Sequence, residues 1–260
     1  MNVGELVAID VHTHCEVGRD GHGSLSPELL GASAAYFGSG GPRQPTVDET
    51  AAYYRERRMA AVIFTVDAEH ATGHRRIPNE EVADACAAHD DVLIPFASVD
   101  PHRGRAGVRE ARRLVRDHGV RGFKFHPSLQ GFAPDDRMAY PLYEAIEELG
   151  VPALFHTGQT GIGAGVPGGG GIRLRYSNPM LVDDVAVDFP GLTIILAPSS
   201  GSGPQPGSCS KSATSPRSPP PATWPPTPAW RQSRAARPNG GCEGRDIALH
   251  PPNLEHRAEK

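Results

Sequence analysis

The chain has 260 residues, a formal net charge of −4, and 22% charged against 38% hydrophobic residues. That length allows one large α/β domain or two small ones. The charge leaves no basic footprint for nucleic acid or an anionic membrane, and no apolar run approaches the roughly 20 residues of a membrane-spanning helix.

Short apolar runs alternating with amphipathic stretches organise residues 1–197. Strands are predicted at 6–11, 60–66, 92–99, 120–125, 151–155 and 192–197. Most are continuous apolar runs, the pattern of parallel strands covered on both faces. A Thr46-x-x-Glu49 capping box opens a helix over 46–58. Val108, Ala111, Leu114 and Val115 make an apolar helical stripe that Gly119 stops. Leu142, Ile146 and Leu149 repeat it before Gly150, and Asn178 with Pro179 opens a helix reaching Phe189. The four cysteines, Cys15, Cys86, Cys209 and Cys242, form no CxxC pair, which suits a reducing cytosol. With no leader-like segment after Met1, a cytoplasmic protein is expected.

Six βα units in series fit a (β/α)8 barrel or an open doubly wound sheet. The first βα connection lacks a glycine-rich phosphate loop, which weakens the nucleotide-binding version of the open sheet. His12, His14, Asp67, Asp100, His126 and His156 all fall at or near strand ends, and barrel active sites are built on that rim. In Ile9-Asp10-Val11-His12-Thr13-His14, strand alternation puts both imidazoles on one face, where they can reach one ion. His156 is either a third ligand or an imidazole bonded to a loop carbonyl. Lys124 and His126 share strand parity, and could hold an anionic substrate group or pair with a carboxylate of a neighbouring strand. Asp67 and Asp100 compete with a helix-capping role. His22, His70, His74, His89, His102 and His118 read as solvated.

Residues 5–197 resemble the amidohydrolase-related group of metal-dependent hydrolases and decarboxylases, which includes aminocarboxymuconate semialdehyde and resorcylate decarboxylases. The matching pieces are the segment from Ile9 to His14, Ala97-Ser98-Val99-Asp100-Pro101, Gly122-Phe123-Lys124-Phe125-His126-Pro127, Leu154-Phe155-His156-Thr157-Gly158 and the run from Phe189 to Ala197. The resemblance implies a TIM barrel with one divalent ion, usually zinc, held by His12, His14 and His156. It also implies a mobile glycine-rich loop over 158–171, a small-molecule substrate, and homo-oligomers among intact relatives. The leading expectation is hydrolysis of an amide, lactone or thioester. The alternative is non-oxidative decarboxylation of an aromatic or unsaturated acid. Lys124, Arg173 and Arg175 hint at an acidic or acyl-CoA-like substrate.

The sequence departs from this group at Ile194-Ile195-Leu196-Ala197-Pro198-Ser199. The catalytic histidine of the pattern Leu-Ala-His-Pro-Ser is missing between Ala197 and Pro198. From Pro198 to Asp246 there is no Val, Ile, Leu, Met, Phe or Tyr, so residues 198–260 read as a non-globular Pro/Ser/Gly/Arg-rich tail. The abrupt change suggests a reading-frame shift near codon 198. The expected fold is therefore an α/β, TIM-type (β/α)8 barrel left incomplete at about six units, in a chain expected to be inactive. A reading from another class makes Ser218-Pro219-Pro220-Pro221 and Pro225-Pro226-Thr227-Pro228 polyproline ligands of an interaction protein.

Overall fold

Six parallel strands run through residues 1–38 and 44–198, the part of the chain that the computed structural model describes. They are β1 (Ala8–His14), β2 (Met59–Phe64), β3 (Leu93–Pro95), β4 (Phe123–Phe125), β5 (Ala153–Thr157) and β6 (Ile194–Pro198). β1-β2-β3 and β4-β5-β6 form two sheets in chain order, every pair parallel. A parallel bridge from Ala97 to Phe123 carries the wall from one sheet to the other. Parallel neighbours in chain order, each joined through helix, make this an α/β fold of the TIM type carried through five βα units to a sixth strand among the described residues.

The helices are α1 (Pro27–Phe37), α2 (Val47–Glu56), α3 (Glu69–Thr72), α4 (Asn79–Ala87), α5 (Gly104–His118), α6 (Pro127–Gln130), α7 (Tyr140–Glu148) and α8 (Met180–Asp188). Both halves of the Thr46–Glu49 capping box form, and Gly119 ends α5 in the left-handed region at φ 67°. α8 starts one residue later than expected, with Pro179 rather than Asn178 at the cap position, and Asn178 Oδ1 accepts the Met180 N–H at 3.1 Å just before it. Neither α1 nor α4 stands out in the sequence, because short Ala-rich segments carry little apolar stripe.

Two strands are shorter than their apolar runs. Where 92–99 and 120–125 were expected, β3 and β4 span three residues each. The flanking backbone still bonds across: Arg121 N to Pro95 O, Ala97 N to Gly122 O and Lys124 N to Ala97 O. The Phe96 ring packs so closely on Gly122 that a Cβ there would lie 2.4 Å from it.

β2 alternates between two apolar layers. Ile63 packs outward with Tyr54, Val82 and Cys86, while Val62 and Phe64 pack inward with Phe96, Leu154 and Ala197. A third cluster seats α5, α7 and α8 on β4 and β5 through Leu114, Phe125, Tyr143, Ile146, Phe155 and Val185. Fully burying side chains of this size contributes on the order of 1.5–3 kcal/mol each.

The expectation that strands are covered on both faces fails at the two ends of the wall. Val7, Ile9 and Val11 in and before β1 are 67%, 42% and 39% exposed, and Leu196 on β6 is 47% exposed. Among the described residues β1 pairs only with β2, and β6 only with β5, so neighbours that would cover these side chains are absent there. The expected tail lies outside the described residues from position 199 onward, as do both polyproline motifs. No helix among the described residues is long and apolar enough to cross a membrane.

Candidate metal and substrate site

The site begins with an irregularity in β1. Asp10 aligns with Ala61 and Thr13 with Ile63, so β1 spends one residue more than β2 between these points. Such a bulge re-aims side chains and is frequent beside active sites. Tyr54, fully buried on α2, ties it down. Its hydroxyl donates to Asp10 Oδ2 at 2.7 Å and lies 2.9 Å from Thr13 Oγ1. Asp10 and Thr13 thus share the outer face three residues apart, which strict alternation forbids. Asp10 Oδ1 also accepts the His12 N–H at 2.9 Å, fixing the backbone from which His12 projects.

Across the bulge, His12 and His14 bring their Nε2 atoms to 3.2 Å. Phe64 packs against both rings, at 5.7 and 4.8 Å between centroids. Lys124 reaches over from β4, its Nζ 3.2 Å from His12 Nε2. His156 closes the other side, its ring 6.1 Å from that of His12. His126 stacks on His156 at 3.9 Å, with planes 7° apart. The structure therefore gathers all five residues singled out from the sequence.

Burial disfavours the charged form of each of these groups. It drives His12 far below its ordinary range, aided by Lys124 and the neighbouring imidazoles. It lowers His14 to about 3 and His156 to about 4, again with Lys124 contributing. Lys124, with no exposed surface, is pushed well below a normal lysine by burial alone, and His126 falls well below 6.5. Beside the cluster, the Glu16 carboxylate lies 3.9 Å from His14 Nδ1. Burial raises its pKa, and the Ser24 hydroxyl bonds its Oε2.

The donor chemistry suits a divalent ion: neutral imidazoles offer lone pairs without first losing protons. Two nitrogens on a tetrahedral ion with bonds of about 2.1 Å sit about 3.4 Å apart, close to the His12–His14 spacing. His156 is not so placed. Its Nε2 bonds the Gln159 carbonyl at 3.1 Å, the loop-carbonyl reading weighed above. Among the described residues, no group of three or more His, Cys, Asp or Glu side chains is disposed to hold a metal. His12 and His14 face each other at that spacing, while His156 is turned to the glycine-rich loop.

The remaining candidates lie elsewhere. Asp100 caps the turn Pro101–Arg103 by accepting the His102 N–H at 2.9 Å. Buried Asp67 faces Arg103 at 3.4 Å and Arg76 at 3.7 Å. Arg173 and Arg175 are exposed, and Arg175 stacks on Tyr176. The histidines read as solvated are mostly half-buried and paired. His22 stacks on His74 and His70 on His102, while His89 meets Asp48 and His118 meets Asp84. Free solvation was the wrong expectation, because stacking and local carboxylates hold them.

Three neighbours of the cluster escaped the sequence reading: Glu16, Tyr54 and Gln130. Glu16 extends the His-x-His alternation by one more step, a signal present but not used. Tyr54 reaches Asp10 across 44 positions, which no local pattern encodes, whereas Gln130 lies four residues after His126, whose N–H its Oε1 accepts.

The family model described as Amidohydrolase matches residues 9–202. No curated protein matches the chain. Among solved structures, an uncharacterised TIM-barrel protein from Bordetella bronchiseptica matches 72% of this chain and 66% of its own, with 20% identity and a TM-score of 0.51. A 5-carboxyvanillate decarboxylase from Novosphingobium aromaticivorans, complexed with manganese and 4-hydroxy-3-methoxy-5-nitrobenzoic acid, matches 75% of this chain and 66% of its own, at 16% identity and a TM-score of 0.53. A 2,6-dihydroxybenzoate decarboxylase from Rhizobium matches 72% and 65%, at 18% and 0.50. The chain spans just under two thirds of the length of these proteins, and at such identities the likeness shows the fold.

Proposed function

Because the chain belongs to the amidohydrolase family, we propose that its site is that of a metal-dependent, non-oxidative decarboxylase of an aromatic carboxylic acid. Hydrolysis, the leading expectation from sequence, yields to this alternative because two of the structural neighbours are decarboxylases of hydroxylated benzoates. The observation that carries the reading is the buried cluster itself. Two imidazoles and a lysine meet within 3.2 Å contacts, in surroundings suited to an anionic substrate and poor for a cationic one.

His12 and His14, joined by His156 once it leaves Gln159, would hold one divalent ion. Zinc suits an imidazole set, and manganese is the ion of the carboxyvanillate decarboxylase complex. Such an ion polarises a bound substrate oxygen. Lys124, protonated with a proton drawn from solvent as the substrate carboxylate enters, would act as a charge-assisted donor to it. His126 presents an N–H to a second oxygen.

The proton that replaces carbon dioxide has no donor on β6. His156 aligns with Ala197, and the strand passes directly to Pro198. A missing general acid is worth roughly 10²–10⁴-fold in rate. We therefore read this chain as a binder with little or no turnover, derived by a frame shift from an active barrel. The test is carbon dioxide release from 2,6-dihydroxybenzoate and 5-carboxyvanillate with zinc or manganese present, for this chain and for one with the reading frame restored after codon 197. Release by the restored chain alone is expected. Amide or lactone hydrolysis by the restored chain, without decarboxylation, overturns the reading.

A further inference from the structure

We propose that His126 is locked as its Nε2–H tautomer and serves as the site's neutral hydrogen-bond donor to an oxygen of the substrate, with Gln130 positioning it. The inference rests on the substrate class proposed above.

His126 follows β4 and caps α6, and its Nδ1 accepts the Leu129 N–H at 3.3 Å. The same N–H also reaches the His126 carbonyl at 2.9 Å; a backbone amide can only donate, so the Nδ1 that shares it carries a lone pair. A neutral imidazole has one N–H, which is thereby placed on Nε2. The backbone N–H of His126 donates to Gln130 Oε1 at 2.8 Å. Gln130 Nε2 donates in turn to the Asp67 carbonyl at 2.9 Å and to Ser98 Oγ at 3.4 Å. Gln130 is fully buried, so its amide is pinned at both ends between the loops after β2 and β4. The stack on His156 fixes the ring plane.

One ring edge is thus spent on the cap and one face on His156. Among the described residues, no acceptor bonds His126 Nε2. The remaining edge is a donor held in place before any ligand arrives, which selects a carboxylate or phenolate oxygen over a group that itself only donates.

Long-range nitrogen–proton NMR correlation on the full chain, labelled with ¹⁵N-histidine, reads the tautomer directly. An Nε2–H pattern for His126 is expected, with loss of the single tautomer in Gln130→Ala. Binding of 2,6-dihydroxybenzoate separates donor from cap. His126→Gln keeps an N–H near the Nε2 position and should bind within a few fold of the parent. His126→Asn keeps the capping acceptor but withdraws the donor, and should weaken binding about 10-fold or more, as expected for a hydrogen bond to a charged group. An Nδ1–H pattern, or an Asn variant that binds as the parent does while Gln fails, overturns the inference with the decarboxylase reading intact. Failure of the parent chain to bind 2,6-dihydroxybenzoate despite an Nε2–H pattern defeats the substrate class, and the donor role with it.

Discussion

Tyr54 and Asp10 are joined by a 2.7 Å hydrogen bond across 44 positions of sequence, and that bond secures the bulge from which His12 projects. The phenol lies at 0% exposure and also meets Thr13, so its loss strands two polar groups. Tyr54→Phe should cost on the order of 1–3 kcal/mol, the range for leaving such partners unsatisfied. Chemical denaturation checks the size. If the bulge matters to the site, the same variant also weakens metal binding, whereas a purely packing role for Tyr54 leaves the metal affinity unchanged.

The histidines make the fold sensitive to acid. Burial, with Lys124 adding to it, holds His14 at about 3 and His156 at about 4 in the folded chain, against 6.5 when unfolded. Between these values the unfolded chain binds more protons, so stability falls as pH drops. Above 6.5 both states are neutral at these rings and no dependence arises from them. The loss should begin near pH 6.5 and run down to about 4 for His156 and about 3 for His14. Its slope is at most about 1.4 kcal/mol per pH unit for each histidine. Thermal unfolding of metal-free protein from pH 8 to 4.5 should show a plateau and then a decline; a midpoint that rises on acidification refutes the buried, neutral cluster.

Lys124 separates binding from stability. Its amine is buried, which pushes its pKa well below that of a normal lysine, and Lys124→Met keeps a similar volume while removing the polar end. Folding stability should hold or improve, since an amine buried among imidazole and phenyl rings is costly. Affinity for 2,6-dihydroxybenzoate should fall about 10- to 100-fold, the scale of a hydrogen bond to a charged group. Titration calorimetry beside a melting curve distinguishes this from general damage, which would lower both.

The open edges of the wall have their own consequence. Ile9 and Leu196 are exposed apolar residues on strands that pair on one side only among the described residues. Such edges template association, and lysine blunts them. Ile9→Lys with Leu196→Lys should reduce light scattering of the purified chain at constant melting temperature. Unchanged scattering assigns self-association to another surface.

The strand order was legible because parallel strands covered by helices leave apolar runs that stand out between polar helical faces, as 60–66 and 151–155 do. The convergence of His12, His14, Lys124 and His156 was legible for a related reason: strand parity fixes which side chains face inward. What escaped were features set by contact rather than pattern. The bulge in β1 has no composition of its own, and only the Asp10–Tyr54 bond reveals it. Beside the end of β3, the Phe96 ring closes over Gly122, a contact that no spacing announces. His156 turns to Gln159 through a loop bond that no spacing encodes.

The account stands or falls on whether His12 and His14 form a metal-binding pair. Equilibrium dialysis of the full chain against zinc at pH 7.5, with metal counted by elemental analysis, tests this directly. One zinc per chain is predicted, reduced to background in the His12→Ala, His14→Ala double variant and weakened in His156→Ala. Equal zinc content in the parent chain and the double variant would contradict the account.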